Sequence, residues 1–471
     1  MKTMSGTTRV YDSSRAPADR TLVSEFQSSL RGVDLAAPAV VLPDFHHKDD
    51  MEMPSSIAVA TRETIRPILT SSSVNCGMAL IALDTDPPAP RAIDRFYRGV
   101  RERYPHPPTY RRDLTVRDVV ACAARGGEFA VDRFGLDPGE LERVEEGGFL
   151  PLERFGGAAR LRRELPWLSL QLARLRFGTV GPTNHFVELQ RVEEILDHRA
   201  AAILGVERGQ TTLQYHAGGG VLASQIGRLF GRRRKTSRVQ RLAMSALKPS
   251  YHLLSARSLE DLRTRIRLYF SAGVPPVARH SPEGQRLLLA TYASMNYGFA
   301  FRLATYASLR RLAREHLGAS TSRLVVDSPH NSIYEEPVGD ETALVHRHNA
   351  CRAFPPSHLS PTTAFGRVGQ AVLLPGTHRT ASYLCVADHG AFRTLYSAAH
   401  GAGTLVERLV DEGRSVLHPR GLRTRRYRYS DAAPIEDPQL DDRGVDEALA
   451  ILTTANAIRP VARMRPLAVL N

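Results

Sequence analysis

Between Ala39 and Leu83 the apolar residues come in short runs, Ala39-Val40-Val41-Leu42, Ile57-Ala58-Val59-Ala60 and Met78-Ala79-Leu80-Ile81-Ala82-Leu83, set apart by Gly, Pro and Ser. Runs this short cannot make a helix with a buried face and read as buried strands. The same text returns at Phe186 to Gln190, Thr211 to Tyr215, Arg323 to Val326, Ala371 to Leu374 and Ala381 to Val386. Helical spacing runs from Leu114 to Arg176, Leu259 to Ser271 and Gln285 to His316. Pro-rich breaks at Asp86 to Pro90 and Pro105 to Pro108 mark off residues 87–176 as a helical insertion. Strands and helices mix without a βαβ rhythm or an internal repeat, so the expected class is α+β, with mixed sheets packed against helices. Residues 1–21 are polar and read as a mobile tail, with order beginning near Leu22 and a single domain over residues 22–471.

With 42% hydrophobic residues the chain can bury a sizeable core. Its 63 basic and 49 acidic residues leave a net charge of +14, which favours a polyanionic partner such as nucleic acid, although an arginine-rich composition also follows from codon bias. Lysine occurs only at Lys2, Lys48, Lys235 and Lys248, and none follows a glycine, so no Walker A loop is present. The nearest approach to a Lys-x-Asp-Gly nucleophile motif, Lys48-Asp49-Asp50-Met51, lacks its glycine. Cys76, Cys122, Cys351 and Cys385 are widely spaced, which argues against a disulfide framework or a zinc ribbon and fits a reducing cytoplasm. Met1 to Arg20 lacks the apolar core of a signal peptide, and no run approaches the roughly 18 apolar residues of a membrane span. The expectation is a soluble cytoplasmic protein with no membrane partner.

Several segments carry chemistry. Cys76 follows a Ser-rich turn and precedes a strand, a setting for a thiolate ligand, a nucleophile or an inert buried thiol. His185 opens the strand after Gly178 to Asn184, His216 closes a strand before Gly218-Gly219-Gly220, and His330-Asn331 lies beyond a third. Each histidine alone reads as a satisfied loop residue; three at strand ends, with a cysteine, point to a His/Cys metal centre. Pro375-Gly376-Thr377-His378 to Ser382 offers small residues whose amides could approach a phosphate. His400 stands among Ala398, Ala399, Gly401, Ala402 and Gly403, neighbours small enough for a histidine nucleophile to accept a bulky group. Basic runs fall at Arg228 to Arg241 and at Arg423, Arg425, Arg426 and Arg428. In the second, Tyr427 and Tyr429 alternate with guanidiniums in a pattern that suits stacking on bases.

In this order the motifs resemble those of the RtcB-type RNA ligases. They are Pro43-Asp44-Phe45-His46, Asn75-Cys76-Gly77, Gly178 to Glu188, His216, Ser294-Met295-Asn296-Tyr297, His330-Asn331, His346-Arg347, Arg352 to Pro356, Pro375 to Ser382, His400 to Gly403 and Arg465 to Val469. The stretch from Pro87 to Arg176 is not matched. The resemblance implies a fold with a central metal and nucleotide cleft, and a GTP- and manganese-dependent ligase for broken RNA ends. Such an enzyme joins a 3′-phosphate or 2′,3′-cyclic phosphate to a 5′-hydroxyl in RNA repair or tRNA splicing. It further implies Cys76, His185, His216 and His330 as ligands of one or two manganese ions, Cys76 bridging, and His400 as the residue that is guanylylated. The GTP pocket would comprise Asn184, His185, Phe186, Val187, Glu188, His330, Asn331, Pro375, Gly376, Thr377, His378, Ser382, His400, Gly401, Ala402 and Gly403. Whether an activating protein factor is needed stays open.

The chain departs from that pattern at four places. Ser73 stands where the family has a metal-binding aspartate, Ala217 to Gly220 replace Ser-Gly-Ser-Arg, His346 to Asn349 replace His-Arg-Lys-Gly, and Leu470-Asn471 leaves no counterpart of a lysine that contacts guanine. Three readings follow: a divergent ligase, a non-ligating paralogue that binds RNA ends or regulates a ligase, and a metal-dependent phosphatase or nuclease. Only the first needs His400 to carry GMP.

Overall fold

The computed structural model describes residues 2–5, 7–47, 53–70, 73–103, 114–181, 185–230, 238–270, 276–431 and 433–471. Among them the largest sheet has nine strands and orders the segments that matter here. Ser322–Pro329, Gly77–Leu83, Thr211–Ala217, Phe186–Ile195, Ile458–Leu470, Ser382–Ala387 and Ala371–Pro375 lie side by side, each antiparallel to its neighbour. Arg423–Tyr427 joins Ile458–Leu470 in parallel, so the sheet is mixed.

Gly77–Leu83 shows why its text is apolar without alternation. Ala79, Ile81 and Leu83 face one core while Met78, Leu80 and Ala82 face another, so both faces are covered. The first core is filled by the long helix Pro282–Leu317, which is capped at its start by Ser281 and stopped by left-handed Gly318. This helix is buried nearly all round, and the insertion packs on it. Phe96, Val119, Cys122 and Phe129 share its core, while Asn296 accepts from the Leu150 amide and donates to the carbonyls of Ala123 and Leu150. The described helices of this stretch, among them Pro90–Arg103, Val116–Arg125 and Gly127–Phe134, contribute to the main core.

A second sheet of six strands runs Lys2–Ser5, Thr8–Tyr11, Ala39–Val41, Ile57–Thr61, Glu341–His348 and Asn331–Val338. It shares with the first sheet a core that includes Val40, Ala58, Val345, Leu374 and Cys385. Order therefore begins well before Leu22. Thr8–Tyr11 pairs in parallel with Ala39–Val41 and buries Val10 and Tyr11, because ladder hydrogen bonds offset a polar composition that by itself reads as a tail. None of the described helices is long and apolar enough to cross a membrane.

Candidate metal and nucleotide site

Four adjacent strands of the large sheet bring their chemistry to one end. Cys76 immediately precedes Gly77–Leu83, His216 pairs across from Met78 and Phe186, His185 immediately precedes Phe186, and His330 follows Pro329, the partner of Gly77. The register alone makes Cys76, His185, His216 and His330 neighbours. Sγ of Cys76 lies 3.2 Å from Nε2 of His216 and 3.7 Å from Nε2 of His185. The ligating atoms of Cys76, His216 and His330, all buried, lie within 4.8 Å of one another. Burial pushes the His185 imidazole down to about 4, so it is neutral at pH 7 with a lone pair to offer.

The turn carrying Cys76 is held from three sides. Asn75 is left-handed at φ 56°, its side-chain amide donates to the Met295 carbonyl, and the fully buried Arg302 donates to the Asn75 main-chain carbonyl. Arg302 is paired with Asp327 at 2.6 and 2.8 Å. The glycines after His216 make room for this turn, since a Cβ on Gly219 would run into the Val74 carbonyl oxygen. The main chains of the Cys76 and His330 segments are tied directly, with the His330 amide 2.9 Å from the Cys76 carbonyl.

His400 follows the three-residue strand Ser397–Ala399, which pairs with Ala350–Arg352. Its ring lies 4.7 Å, centroid to centroid, from that of His330. Beyond it, the Ala402 amide donates to Pro375 at 2.9 Å, and Leu405, in the first turn of the helix Gly403–Asp411, donates to the Asp44 carboxylate at 2.7 Å. The histidine thus stands between the metal-ligand cluster and the Pro375–His378 loop. A cavity of about 190 Å³ opens here, lined by His185, Phe186, Glu188, Pro375, Gly376, Thr377, His378 and Ser382 together with Glu407, Val469 and Asn471. Burial raises the carboxyl of Glu188 to about 8, against a weaker lowering by its bond from Gln190. A larger cavity of about 420 Å³, lined by Asp19, His46, Thr404 and Arg408 among others, includes none of the cluster residues.

The cavity is lined by eight of the sixteen residues expected of the pocket, and His330, His400, Gly401 and Gly403 are not among them. Asn184 lies outside the described residues. Val187 turns into the helical core, because alternation along the strand sends it to the face opposite Phe186 and Glu188. The Asn331 side chain is occupied in joining turns, donating to Ser73 and accepting from the Asn349 amide. Ala402 is packed in the core between the sheets. The side chains expected to contact RNA, those of Arg423, Arg425, Arg426 and Arg428, all have partners within the chain. Arg425 pairs with Asp94 and Glu436, Arg426 with Asp437 and Arg428 with Asp431, while Arg423 donates to the Glu436 carbonyl. Tyr427 stacks on Tyr97 at 4.5 Å and Tyr429 bonds the Val180 carbonyl, so the interleaved rings serve packing within the fold. Glu407, Val469 and Asn471 were not foreseen. Glu407 lies one helical turn beyond Gly403, a spacing that could have flagged it once Gly403–Asp411 was read as a helix.

Fold and site define a mixed α/β protein with a buried cluster of one cysteine and histidines that could hold a metal ion, beside a further histidine. The chain belongs to the RtcB family: the family model described as tRNA-splicing ligase RtcB matches residues 28–471. Its relatives include the tRNA-splicing ligase RtcB of Pyrococcus abyssi, 30% identical over 424 residues, covering 84% of this chain and 42% of that protein. The RNA-splicing ligase RtcB of Mycobacterium tuberculosis is 29% identical over 420 residues, 84% of this chain and 87% of that protein. The tRNA-splicing ligase RtcB of Thermococcus kodakarensis is 28% identical over 459 residues, 92% of this chain and 87% of that protein. The chain spans less than half the length of the Pyrococcus abyssi and Pyrococcus furiosus relatives.

Proposed function

We propose that this protein is an RNA ligase that uses GTP and a divalent metal, manganese by family likeness, to join RNA 3′-phosphate or 2′,3′-cyclic phosphate ends to 5′-hydroxyl ends. The observation that carries the reading is the contact of the His400 and His330 rings, 4.7 Å apart. It sets a candidate nucleophile against a candidate metal ligand, two residues before Ala402, whose amide is bonded to Pro375 at the border of the 190 Å³ cavity. Cys76, His216 and His330 would hold the metal, with His185 next to the thiolate. One thiolate with neutral imidazoles is a donor set suited to a first-row transition ion. Bound there, the ion supplies Lewis-acid neutralisation of phosphate charge.

His400 then attacks the α-phosphorus of GTP through a ring nitrogen. A P–N bond forms, the bond to the bridging oxygen of the β-phosphate breaks, pyrophosphate leaves, and the ring gives up its proton. The small residues around His400 leave space for the guanylyl group, which passes to the RNA 3′-phosphate before the 5′-hydroxyl displaces GMP. The Gly376–Thr380 turn, closed by the Thr377 amide on Thr380 Oγ1 at 2.8 Å, and Glu188 would border the nucleotide. Ser73, where a carboxylate is expected, favours a second reading in which the chain binds RNA ends without sealing them.

The test is incubation with α-phosphate-labelled GTP and manganese, followed by denaturation. Label on the parent chain, absent from His400→Ala and Cys76→Ala, is the expected result. A metal-loaded parent chain without label would refute the ligase reading and leave the end-binding one.

A further inference from the structure

His400 is delivered by a segment that is strained before it and short beneath it. Leu395 and Tyr396 are consecutive non-glycine residues in the left-handed region, at φ 53° and 49°, a conformation that side chains adopt only when their surroundings enforce it. The strand that follows, Ser397–Ala399, has three residues and a three-residue partner, too little ladder to hold such a turn by itself.

The restraint comes from Arg347. Its guanidinium, fully buried, donates through Nη2 to the carbonyls of Leu395 and Tyr396 at 3.1 and 3.2 Å, and through Nε to Ser397 Oγ at 2.9 Å. Ser397 Oγ in turn donates to the Leu395 carbonyl at 2.9 Å. The Glu336 carboxylate accepts from Nη1 at 2.8 Å and, at 2.6 Å, from the same Nη2 that serves the two carbonyls. A buried ion pair is a poor source of net stability, so its presence here calls for another explanation.

The hairpin that carries both partners supplies one. Arg347 and Glu336 lie on Glu341–His348 and Asn331–Val338, and the residue immediately before that hairpin is His330. Through it, the main chain that presents a metal-ligand histidine is joined rigidly to the turn that presents His400. A planar five-donor fork is the side chain that can hold two carbonyls, a hydroxyl and a carboxylate at once; lysine cannot.

We infer that the Glu336–Arg347–Ser397 clamp positions His400, holding the strained Leu395-Tyr396 turn so that the His400 ring keeps its place against His330. Arg347 and Ser397 are positioning residues that touch neither nucleotide nor metal. The inference rests on the proposed function for its kinetic consequence and on geometry alone for its structural one. The experiment therefore has two arms, each on the full chain.

In the first arm, crystal structures of the parent, Ser397→Ala and Arg347→Lys are compared. The expected result is displacement of the His400 ring by about 1 Å or more from its 4.7 Å spacing, with the 3.2 Å Cys76–His216 approach unchanged. In the second, single-turnover labelling by GTP is followed. Arg347→Lys should slow labelling by about a hundredfold and Ser397→Ala by about tenfold, with GTP affinity and metal content within about threefold of the parent. Ser397→Thr, which keeps the hydroxyl, should restore the parental rate. An unmoved His400 in both variants overturns the inference, as does a parallel fall of metal content and GTP affinity with rate, which would mark a general stabiliser. If the parent takes no label but the ring is displaced in the variants, the clamp stands and the ligase reading falls.

Discussion

Gly77→Ala strikes the point where two strands bearing ligands touch. Gly77 pairs with Pro329, so the added methyl would lie between the Cys76 and His330 segments, 2.9 Å from the Pro329 Cα, 3.0 Å from the Ser328 carbonyl oxygen and 3.0 Å from the Arg302 guanidinium carbon. Two of these neighbours are backbone and the third is locked to Asp327, so no flexible side chain can yield. Reaching an ordinary 3.4 Å contact requires the strands to part by about 0.5 Å, stretching a cluster whose ligating atoms lie within 4.8 Å. Overpacking of this kind costs about 1–3 kcal/mol. Were all of it felt in the metal-loaded geometry, affinity would fall by about tenfold for each 1.4 kcal/mol. The assay is a titration with cobalt(II) followed by its thiolate charge-transfer band, beside denaturant unfolding of the apo chain. Gly339→Ala, at φ +63° with nothing within 4 Å, is the control; it should lose about 1–2 kcal/mol of stability and no affinity. A Gly77→Ala chain binding metal within twofold of the parent would refute the reasoning.

Asp327→Asn leaves Arg302 buried and uncompensated and should cost about 3–5 kcal/mol in urea unfolding, whereas Arg302→Met with Asp327→Leu should recover much of the loss in stability but not the Asn75 turn, and so not metal affinity. Glu188 keeps its proton to about 8 when folded but loses it near 4.5 when unfolded, so between these values the native state binds the extra proton and stability falls as pH rises. Unfolding free energies from urea titrations at pH 5 and pH 8 should differ by an amount on the order of a few kcal/mol in the parent, and by much less in Glu188→Gln. Replacing Arg425 and Arg426 by Gln should leave RNA affinity within twofold by filter binding, because their charges are met by Asp94, Glu436 and Asp437; Tyr427→Ala, by contrast, should cost about 3–5 kcal/mol of stability through the loss of a buried ring and the cavity left against Tyr97.

Much of the large sheet was legible because its strands are buried on both faces and their text is therefore continuous, as in Met78 to Leu83. Strands with one poor face or many charges were not. Ile458–Leu470 holds three arginines and two prolines yet sits at the sheet's centre, where Arg463 and Arg465 reach Glu193 and Asp442 at its margin. Arg423–Tyr427 reads as a run of charge because its acidic partners, Asp94 far off in sequence and Glu436 and Asp437 on the neighbouring strand, are not visible in the local text. Thr8–Tyr11 failed as a strand signal because its stability lies in the partner Ala39–Val41.

By itself the sequence determined which residues could act: a thiol, three histidines at strand ends and a histidine among small neighbours, each recognisable from residue type and local spacing. Only the tertiary structure decided which of them meet. Sheet register set Cys76 against His216, a tight turn needing Gly219 admitted Val74, and a hairpin more than 40 residues earlier in the chain came to hold the approach to His400 through Arg347. Local sequence encodes chemistry and strand text because both depend on near neighbours. Distances between ligands depend on pairings across hundreds of residues, which no local pattern carries.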